Sequence, residues 1–445
     1  MEFDFNINMA SLKVEKPKFY TDEWEVGYGG SISSMPAYHK GVLYISSCDR
    51  HVYALDYKTK KLLWKFKADG IFVESVLNVF DDAIYVGNYD GYFYAVSCDG
   101  KLLWRFKTGG KISGGAWVTE ERLFFGSHDN YFYALERKSG KEVWRYKTGE
   151  FITSYPLLIE NHLLFGSQDG IVHCINSDNG TVIWKFKTDG AMPNYVPYEV
   201  YDNMIYAGSF DGNIYALDYR TGKEIWRFKT GGAMTGSATV DNGKLYMGVW
   251  NGYMYCLEAR NGKEIWRFKT GDRIGDQRPL VDEDFVYFGS NDTYFYCLGK
   301  NTGKLIWRFK TEGDIWCGAI SIGDEIIFGG WDCHLYALNK YTGHETWRFH
   351  TSTKQQSKLE IFEQIIIKDE KNEPSLNIEA EGMSYSTDMT ATLSGEYSTK
   401  SEYVTKSEYT QKSEYTLGVV IFDENISSEI LFSFPRRSAI LSQTV

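Results

Sequence analysis

Tryptophan recurs at an almost constant interval along most of this chain, and that interval restricts the possible folds more than any other feature. Nine of the 13 tryptophans follow one another at steps of 40, 40, 40, 40, 42, 40, 41 and 40 residues: Trp24, Trp64, Trp104, Trp144, Trp184, Trp226, Trp266, Trp307 and Trp347. Each lies in a segment such as TGKEIWRFKTGG (221–232), which follows a segment such as IYAGSFDGNIYALD (205–218). Self-similarity at a period of about 20–50 residues indicates a repeat architecture.

Each repeat unit contains four short alternating runs, which predict four strands that we name A to D. In the unit that contains Trp184 they lie near residues 152–158, 163–167, 171–175 and 182–187. Asp-Gly or Asn-Gly at 90–91, 169–170, 211–212 and 251–252 predicts the B–C hairpin turn, where positive φ is needed. Thr-Gly-Lys or a related tripeptide predicts the C–D turn.

One four-stranded unit cannot bury both of its faces, so the units are expected to stack radially. The sequence therefore predicts an all-β fold, an eight-bladed β-propeller of four-stranded blades over residues 22–351, with strand A innermost. Residues 1–21 are a leader, and residues 352–445 are a C-terminal extension that is β-rich or partly disordered. Trp24 marks one D strand too many, which predicts that residues 22–28 pair with the last blade.

The repeated residues are interpreted as structural, because packing between blades demands the same side chain in every unit. The tryptophans are expected to pack between neighbouring blades. Three units have cysteine where others have the alanine of Tyr-Ala-Leu, which indicates a small buried slot and not a ligand or nucleophile: Cys174, Cys256 and Cys297.

The unit YALD-x-x-TGK-x-x-W-[RK]-F-K-T-G, carried over about residues 22–351, resembles the repeat of the PQQ-like (quinoprotein-type) β-propeller family. The resemblance implies one of two activities. Some members are dehydrogenases that hold pyrroloquinoline quinone and calcium in the central funnel, and others are scaffolds similar to the propeller of the bacterial outer-membrane assembly machinery. The scaffolds carry a lipoprotein signal, which the start of this sequence lacks.

As the resemblance implies, the enzymes need a metal-binding acid and amide, a catalytic Asp, stacking aromatics and often a vicinal disulfide. Long inserts supply these groups, whereas every unit here is near minimum length and no two cysteines are adjacent. We therefore expect a non-catalytic platform for a protein or peptide partner, with no catalytic residue, no cofactor and no metal. A quinoprotein dehydrogenase is the less favoured alternative.

Charge and cysteine usage exclude other classes of protein. The formal net charge of −11 argues against a nucleic-acid partner, which needs a basic stripe. No apolar run approaches the ~18–20 residues of a membrane span. The seven scattered cysteines and the absence of a signal sequence predict reduced thiols in a cytoplasmic protein. The sequence leaves the oligomeric state open.

Candidate contact residues lie where the units differ, in two loops that meet at the funnel face. One set precedes the Asp or Asn of the B–C turn: Cys48, Tyr89, His128, Gln168, Phe210, Trp250, Asn291 and Trp331. The other set begins strand A: Glu74, Ser113, Tyr155, Asn194, Tyr195, Asp276, Gln277, Arg278 and Trp316. Aromatic and Arg side chains dominate contact energy at interfaces, so this face is the predicted binding site.

Three of these residues have other interpretations as well. Glu74, Asp276 and Arg278 can form a structural ion pair in the channel. Glu74 and two residues from other blades, Asn194 and Asp276, offer oxygen ligands for Ca²⁺. No compact Asp-rich loop accompanies them, so no metal site is predicted. As contact residues, Trp250 and Trp331 are expected to weaken partner binding at least about tenfold when each is replaced by Ala, with the ring left intact. If these aromatics pack between blades instead, the two variants would melt early.

The C-terminal extension contains the six-residue repeat EYSTKS-EYVTKS-EYTQKS-EYTLG (396–418). An even period places one set of side chains on one face of an extended chain: Tyr397, Tyr403, Tyr409 and Tyr415. The lysines fall on the other face: Lys400, Lys406 and Lys412. The repeat predicts a regular strand, or a flexible motif that is displayed or modified. The second candidate function is therefore a carrier protein whose tail is the working part.

Overall fold

The computed structural model describes residues 29–193, 197–275 and 278–351, which lie in one compact unit, Met1–Ile366. They form eight antiparallel sheets, each of four consecutive strands in the order A–B–C–D. The predicted all-β fold, an eight-bladed β-propeller, is confirmed. No helix in the described part of the chain has the length and apolarity that a membrane crossing requires. Residues 22–28, with Trp24, and the extension 352–445 lie outside the described residues.

The first four blades contain strands β1 to β16. Blade 1 comprises β1 (Ala37–His39), β2 (Val42–Ser46), β3 (His51–Asp56) and β4 (Leu62–Lys67). Blade 2 comprises β5 (Asn78–Phe80), β6 (Ala83–Gly87), β7 (Tyr92–Ser97) and β8 (Leu102–Lys107). Blade 3 comprises β9 (Trp117–Val118), β10 (Arg122–Gly126), β11 (Tyr131–Glu136) and β12 (Glu142–Lys147). Blade 4 comprises β13 (Leu157–Ile159), β14 (His162–Gly166), β15 (Ile171–Asn176) and β16 (Val182–Lys187).

The last four blades contain strands β17 to β32. Blade 5 comprises β17 (Glu199–Tyr201), β18 (Met204–Gly208), β19 (Asn213–Asp218) and β20 (Glu224–Lys229). Blade 6 comprises β21 (Thr239–Asp241), β22 (Lys244–Gly248), β23 (Tyr253–Glu258) and β24 (Glu264–Lys269). Blade 7 comprises β25 (Leu280–Val281), β26 (Phe285–Gly289), β27 (Tyr294–Gly299) and β28 (Leu305–Lys310). Blade 8 comprises β29 (Ile320–Ile322), β30 (Glu325–Gly329), β31 (His334–Asn339) and β32 (Glu345–His350).

The strand predictions hold for the outer strands and fail for the innermost one. Strand D of blade 4 spans the predicted residues 182–187, but its strand A spans only Leu157–Ile159. The predicted start of strand A at residue 152 is wrong, because residues 152–156 belong to the connector that enters the blade. The predicted B–C turns are confirmed, with φ between 76° and 82° at the four turn glycines: Gly91, Gly170, Gly212 and Gly252.

The repeated tryptophans that the structure describes, from Trp64 to Trp347, pack between blades as predicted. Trp184 donates its indole N–H to the carbonyl of Tyr219 in the C–D turn of the next blade, at 2.9 Å. Its ring lies under Gly222, which has φ of 70°, and a Cβ on that glycine would approach the ring to 2.5 Å. The turn therefore needs glycine both for its conformation and for its contact with the neighbouring blade.

The cysteines in the strand C slot are fully buried, which confirms that the slot takes a small apolar side chain. Burial raises the pKa of the Cys174 and Cys256 thiols to about 12 and raises that of Cys297 as well. Because the thiolate is the nucleophile and the metal ligand, these residues carry neither role at neutral pH.

The apolar core is divided into clusters at the junctions between neighbouring blades. At the junction of blades 8 and 1, Ile32, Leu43 and Ile45 pack against Ile327 and Leu335. The last and first blades therefore share a core as any other pair does. Backbone pairing closes the ring as well, since the Ile32 N–H donates to the Gly330 carbonyl at 3.0 Å.

The outer edge of each blade is protected against further strand pairing. Every C–D pair contains a register shift, as between Cys174 and Ile175 of blade 4, which leaves one residue of strand D out of register. Exposed Lys or Arg residues such as Lys185 and Lys187 follow the tryptophan. Bulges and charges on an edge strand discourage the addition of another strand, so the rim is a poor docking surface for an extended chain.

A polar cluster distinguishes the closing junction from the others. Here Trp347 donates its indole N–H to the Glu325 carboxylate at 3.1 Å. Thr346 donates to the same carboxylate at 2.6 Å, and the hydroxyl of Tyr57, from blade 1, donates to it as well. Lys60 occupies the position of the turn glycine with φ of 60°, and its ammonium lies 3.4 Å from Glu325. Burial alone would raise the pKa of Glu325, but these donors and Lys60 together lower it.

Glu325→Gln is expected to destabilise the ring at neutral pH and to do so less as the pH falls. Because the folded-state pKa lies below the unfolded value of about 4.3, the carboxylate contributes fully above that value and loses its contribution as the pH falls through the folded pKa. Urea unfolding at pH 7 and at pH 3 measures this difference. Glu283→Gln, an exposed A–B turn residue, is the control. If the difference in unfolding free energy between Glu325→Gln and the parent protein is the same at both pH values, the stabilising role of the Glu325 carboxylate is contradicted.

Candidate binding face

The B–C turns and the D–A connectors form one face of the ring, held together by backbone hydrogen bonds. The connector between blades 1 and 2 illustrates the pattern. Tyr89 N–H donates to the Ile71 carbonyl at 3.2 Å, and Phe72 N–H donates to the Ser47 carbonyl at 3.4 Å. Each connector therefore lies between the turns of two blades, and the two predicted sets of variable residues lie together.

The A–B and C–D turns form the opposite face. Ala259 N–H donates to the Gly243 carbonyl at 2.9 Å, and equivalent bonds join these two turns in the other blades. Lys223 is exposed on this face. Substitutions there provide matched controls for the variable face, because they change a surface loop of the same blades on the side away from it.

Blades 2 to 4 place a first group of aromatic side chains on the variable face. The rings of Tyr89 and His128 lie 6.2 Å apart, and those of His128 and Phe151 lie 4.9 Å apart. The Lys111 ammonium lies 4.9 Å from the Tyr89 ring centre. His128 Nε2 is 2.9 Å from the Ser113 hydroxyl, so the imidazole is held in place by its own blade.

Blades 5 to 8 carry a longer group, which we call the aromatic arc: Phe210, Trp250, Arg273, Trp316 and Trp331. Phe210 and Trp250 lie 5.3 Å apart, and Trp316 and Trp331 lie 4.7 Å apart. The Arg273 guanidinium joins the two pairs, since its central carbon lies 5.2 Å from the Trp250 ring and 4.9 Å from the Trp316 ring. Phe210 is 38% exposed and Trp331 only 5%, so the arc runs from an open end to a buried end.

Two of the predicted contact residues near the channel are buried and hydrogen-bonded within the ring. Tyr155 is buried and donates its hydroxyl to the Asn78 side chain of blade 2. Glu74 is also buried, has φ of 54°, and its N–H donates to the Ser33 hydroxyl at 3.0 Å. Neither is placed to contact a large partner directly.

Arg278 pairs with a residue that the sequence did not suggest. Its guanidinium lies 3.0 Å from the Glu199 carboxylate, which joins blades 7 and 5. Burial raises the pKa of Glu199, and the positive charge of Arg278 opposes this. The partner of Arg278 in this ion pair is therefore Glu199, a residue of blade 5. The other predicted channel residues lie outside the described residues: Asn194, Tyr195, Asp276 and Gln277.

A family model described as the outer membrane protein assembly factor BamB matches residues 21–99, 91–197, 168–249 and 250–370. The chain belongs to this BamB family of PQQ-type repeat propellers. A search among curated proteins gives no match to this BamB-family chain.

Three solved structures share the ring of this BamB-family member. BamB from Moraxella catarrhalis is 17% identical, with a TM-score of 0.58 over 70% of this chain and 95% of the other. The computationally designed Ika8 protein is 16% identical, with a TM-score of 0.60 over 73% and 97%. A europium-containing methanol dehydrogenase is 15% identical, with a TM-score of 0.58 over 69% and 83%. At these identities the likeness establishes the fold, and function has to be argued from the site.

The described part of the ring lacks two features of the quinone and calcium site that the family resemblance implies. Within ranges 29–193, 197–275 and 278–351, no group of three or more His, Cys, Asp or Glu is arranged to hold a metal. Glu74 and Glu199 belong to different blades, and Glu199 is paired with Arg278. All seven cysteines are free thiols and none is adjacent to another in sequence, so a vicinal disulfide cannot form.

Sequence reasoning missed Lys111, Phe151 and Arg273, although a signal for them exists. They occupy the position directly before the buried apolar residue of each connector. Seven different residue types occur at this position in the eight units: Ser31, Ile71, Lys111, Phe151, Ala191, Ala233, Arg273 and Asp314. The carbonyl of this residue accepts the N–H of the variable B–C turn residue. This third variable set is visible in the sequence when the comparison of the units includes the residue directly before the buried apolar residue of the connector.

Proposed function

We propose that this BamB-family propeller is a non-catalytic platform that binds a protein or peptide partner on its variable face. The aromatic arc is the observation that carries the proposal. Positions that repeat in every unit are committed to packing, whereas the arc gathers residues that differ between units. Trp and Arg are the side chains that most often dominate binding energy at protein interfaces.

The layout of the arc also supports a protein or peptide partner. Its open end, at Phe210 and Trp250, offers exposed apolar surface, while its far end is buried against blade 8. The Arg273 guanidinium is held between two indole rings, which fixes a flexible side chain before a partner arrives. Preorganisation of this kind reduces the entropy lost on binding.

Trp250→Ala is expected to weaken partner binding at least tenfold, a factor worth about 1.4 kcal/mol, because Trp250 is the half-buried centre of the arc's open end. A partner captured with the full-length chain, identified and then titrated by calorimetry, provides the measurement. Lys223→Ala on the opposite face is the control and is expected to bind normally. Equal affinities of the two variants would show that the arc is not the binding site.

We also propose a cytoplasmic location. The seven free thiols support it, since oxidising compartments favour paired cysteines. Subcellular fractionation tests this point independently of partner binding.

A further inference from the structure

A side-chain pair recurs on the variable face and joins the B–C turn to the connector of the same blade. The variable residue of the B–C turn forms a hydrogen bond with a hydroxyl group of the connector. This hydroxyl lies two positions after the third variable set described above. The pairs are His128 with Ser113 (2.9 Å), Gln168 with Thr153 (3.3 Å) and Trp250 with Thr235 (3.1 Å). In blades 3, 4 and 6 the turn side chain is thus satisfied within the blade.

Blades 7 and 8 break this pair, and each break leaves a polar atom without a described partner. In blade 7 the hydroxyl position is Gly275, and the Oδ1 of Asn291 is buried without a hydrogen-bond partner among the described residues. Asn291 is only 8% exposed. In blade 8 the hydroxyl position is Trp316, whose Nε1 is likewise buried without a partner in the described ranges. Leaving such groups unpaired is unfavourable.

The two atoms belong to one small region of the face. Ile315 N–H donates to the Ser290 carbonyl at 3.4 Å, so the residues that follow, Trp316 and Asn291, are neighbours across the junction. A small pocket, with space for no more than about one water molecule, lies at this junction and is lined in part by Gly275, Arg278 and Trp316.

Close packing explains the glycine that breaks the pair in blade 7. A Cβ on Gly275 would lie 2.9 Å from the Trp316 backbone, so no residue with a hydroxyl fits there without displacing the connector. The close approach therefore both explains the absence of a hydroxyl partner for Asn291 and places the Trp316 backbone against Gly275. The junction of blades 7 and 8 thus contains one donor and one acceptor that have no described partner.

We infer that this region binds the backbone of an extended peptide segment that carries an acidic side chain. The inference rests on the proposed platform function and names the chemistry of its partner. A peptide group offers the matching pair, because its carbonyl accepts from Trp316 Nε1 while a nearby N–H donates to Asn291 Oδ1. These atoms need a ligand with both a donor and an acceptor, which excludes a simple anion or a purely apolar group.

The acidic side chain follows from the two arginines of the region. Arg278 is already paired with Glu199 at 3.0 Å. Arg273 lies between Trp250 and Trp316, and its guanidinium presents the planar fork that suits a carboxylate. We therefore place the ligand carboxylate at Arg273, one residue away from the peptide group at Trp316.

The test uses the full-length protein and three blocked nonapeptides of alternating threonine and valine, which favour extended structure. The peptides differ only in a central Glu, Gln or Lys. The Glu peptide is expected to bind at least tenfold more tightly than the Lys peptide. It is also expected to shift the indole N–H resonance of Trp316, which is identified by its absence from the spectrum of Trp316→Phe.

Two variants separate binding from stability. Trp316→Phe and Asn291→Leu each remove one unsatisfied atom, so each is expected to keep or raise the Tm while it weakens Glu-peptide binding at least tenfold. Lys300→Met is the control on the opposite face of blade 7. It breaks an intact pair of a buried lysine with Asp241 (3.0 Å), so a lower Tm and unchanged peptide binding are expected.

Opposite results overturn the inference. Absence of Glu-peptide binding, equal binding of the Glu and Lys peptides, or full affinity in both variants would each show that this region is not a peptide site. If Trp250→Ala weakens binding of the captured partner while Trp316→Phe and Asn291→Leu do not, the proposed peptide site is wrong and the proposed platform function is supported. If none of the three affects the partner, both proposals fail.

Discussion

Phe295→Ala is expected to lower the free energy of unfolding by about 3–5 kcal/mol. Phe295 is fully buried and stacks on Phe328 of the next blade, with ring centres 4.0 Å apart and planes only 5° apart. Removing the ring leaves a cavity between two sheets that are each fixed by their own ladders and cannot collapse into it. Urea unfolding followed by circular dichroism measures the change.

Leu103→Ala is the matched control, because Leu103 is an apolar residue on an outer strand and is 54% exposed. Exposed substitutions of this kind usually change the free energy of unfolding by less than about 0.5 kcal/mol. A loss for Phe295→Ala no larger than that of Leu103→Ala would show that the contact between blades 7 and 8 contributes little to the ring.

The features that the sequence predicted well are those that form in the same way in every repeat unit. Strand D of blade 4 and the role of Trp184 follow from local alternation and from the glycine of the next C–D turn. Such features need only the neighbouring unit, about 40 residues away, and the same neighbour is present at every junction. The sequence of one repeat unit and its neighbour is therefore enough to predict how the blades pack at every junction.

The features that the sequence did not predict depend on residues several units apart. Arg278 pairs with Glu199, 79 residues earlier, and Tyr155 bonds to Asn78, 77 residues earlier. No alternation or turn signal links such positions, because each contact joins two blades that have a third blade between them. The sequence indicated which loops vary but not which of their side chains stay accessible.

The junction of blades 8 and 1 shows the same limit of sequence-based prediction, because the two units that meet there are the first and the last of the repeat. Blade 1 has Lys60 where other blades have the turn glycine, which from sequence alone is a minor irregularity. In the structure this lysine lies 4.5 Å from the Trp347 ring centre and beside Glu325. The substitution has a reason only when the first and last units are known to be neighbours.

Trp331→Ala is expected to lower the free energy of unfolding by about 3–5 kcal/mol, which departs from the sequence-based expectation that the ring would stay intact. Trp331 is only 5% exposed and its ring packs on Trp316 at 4.7 Å. Its carbonyl accepts a hydrogen bond from the Ser31 hydroxyl at 2.7 Å, across the closing junction. Truncation therefore leaves a cavity at the base of the arc, next to the junction of the first and last blades.

Trp250→Ala separates the packing role of the arc from its proposed binding role. Trp250 is half-buried at the open end, so its truncation is expected to lower the free energy of unfolding less than that of Trp331 and to weaken partner binding. Trp331→Ala is expected to weaken binding only as far as it displaces Trp316. Urea unfolding and partner titration on both variants decide the point. Unchanged stability in Trp331→Ala would contradict its packing role and return it to the list of contact residues.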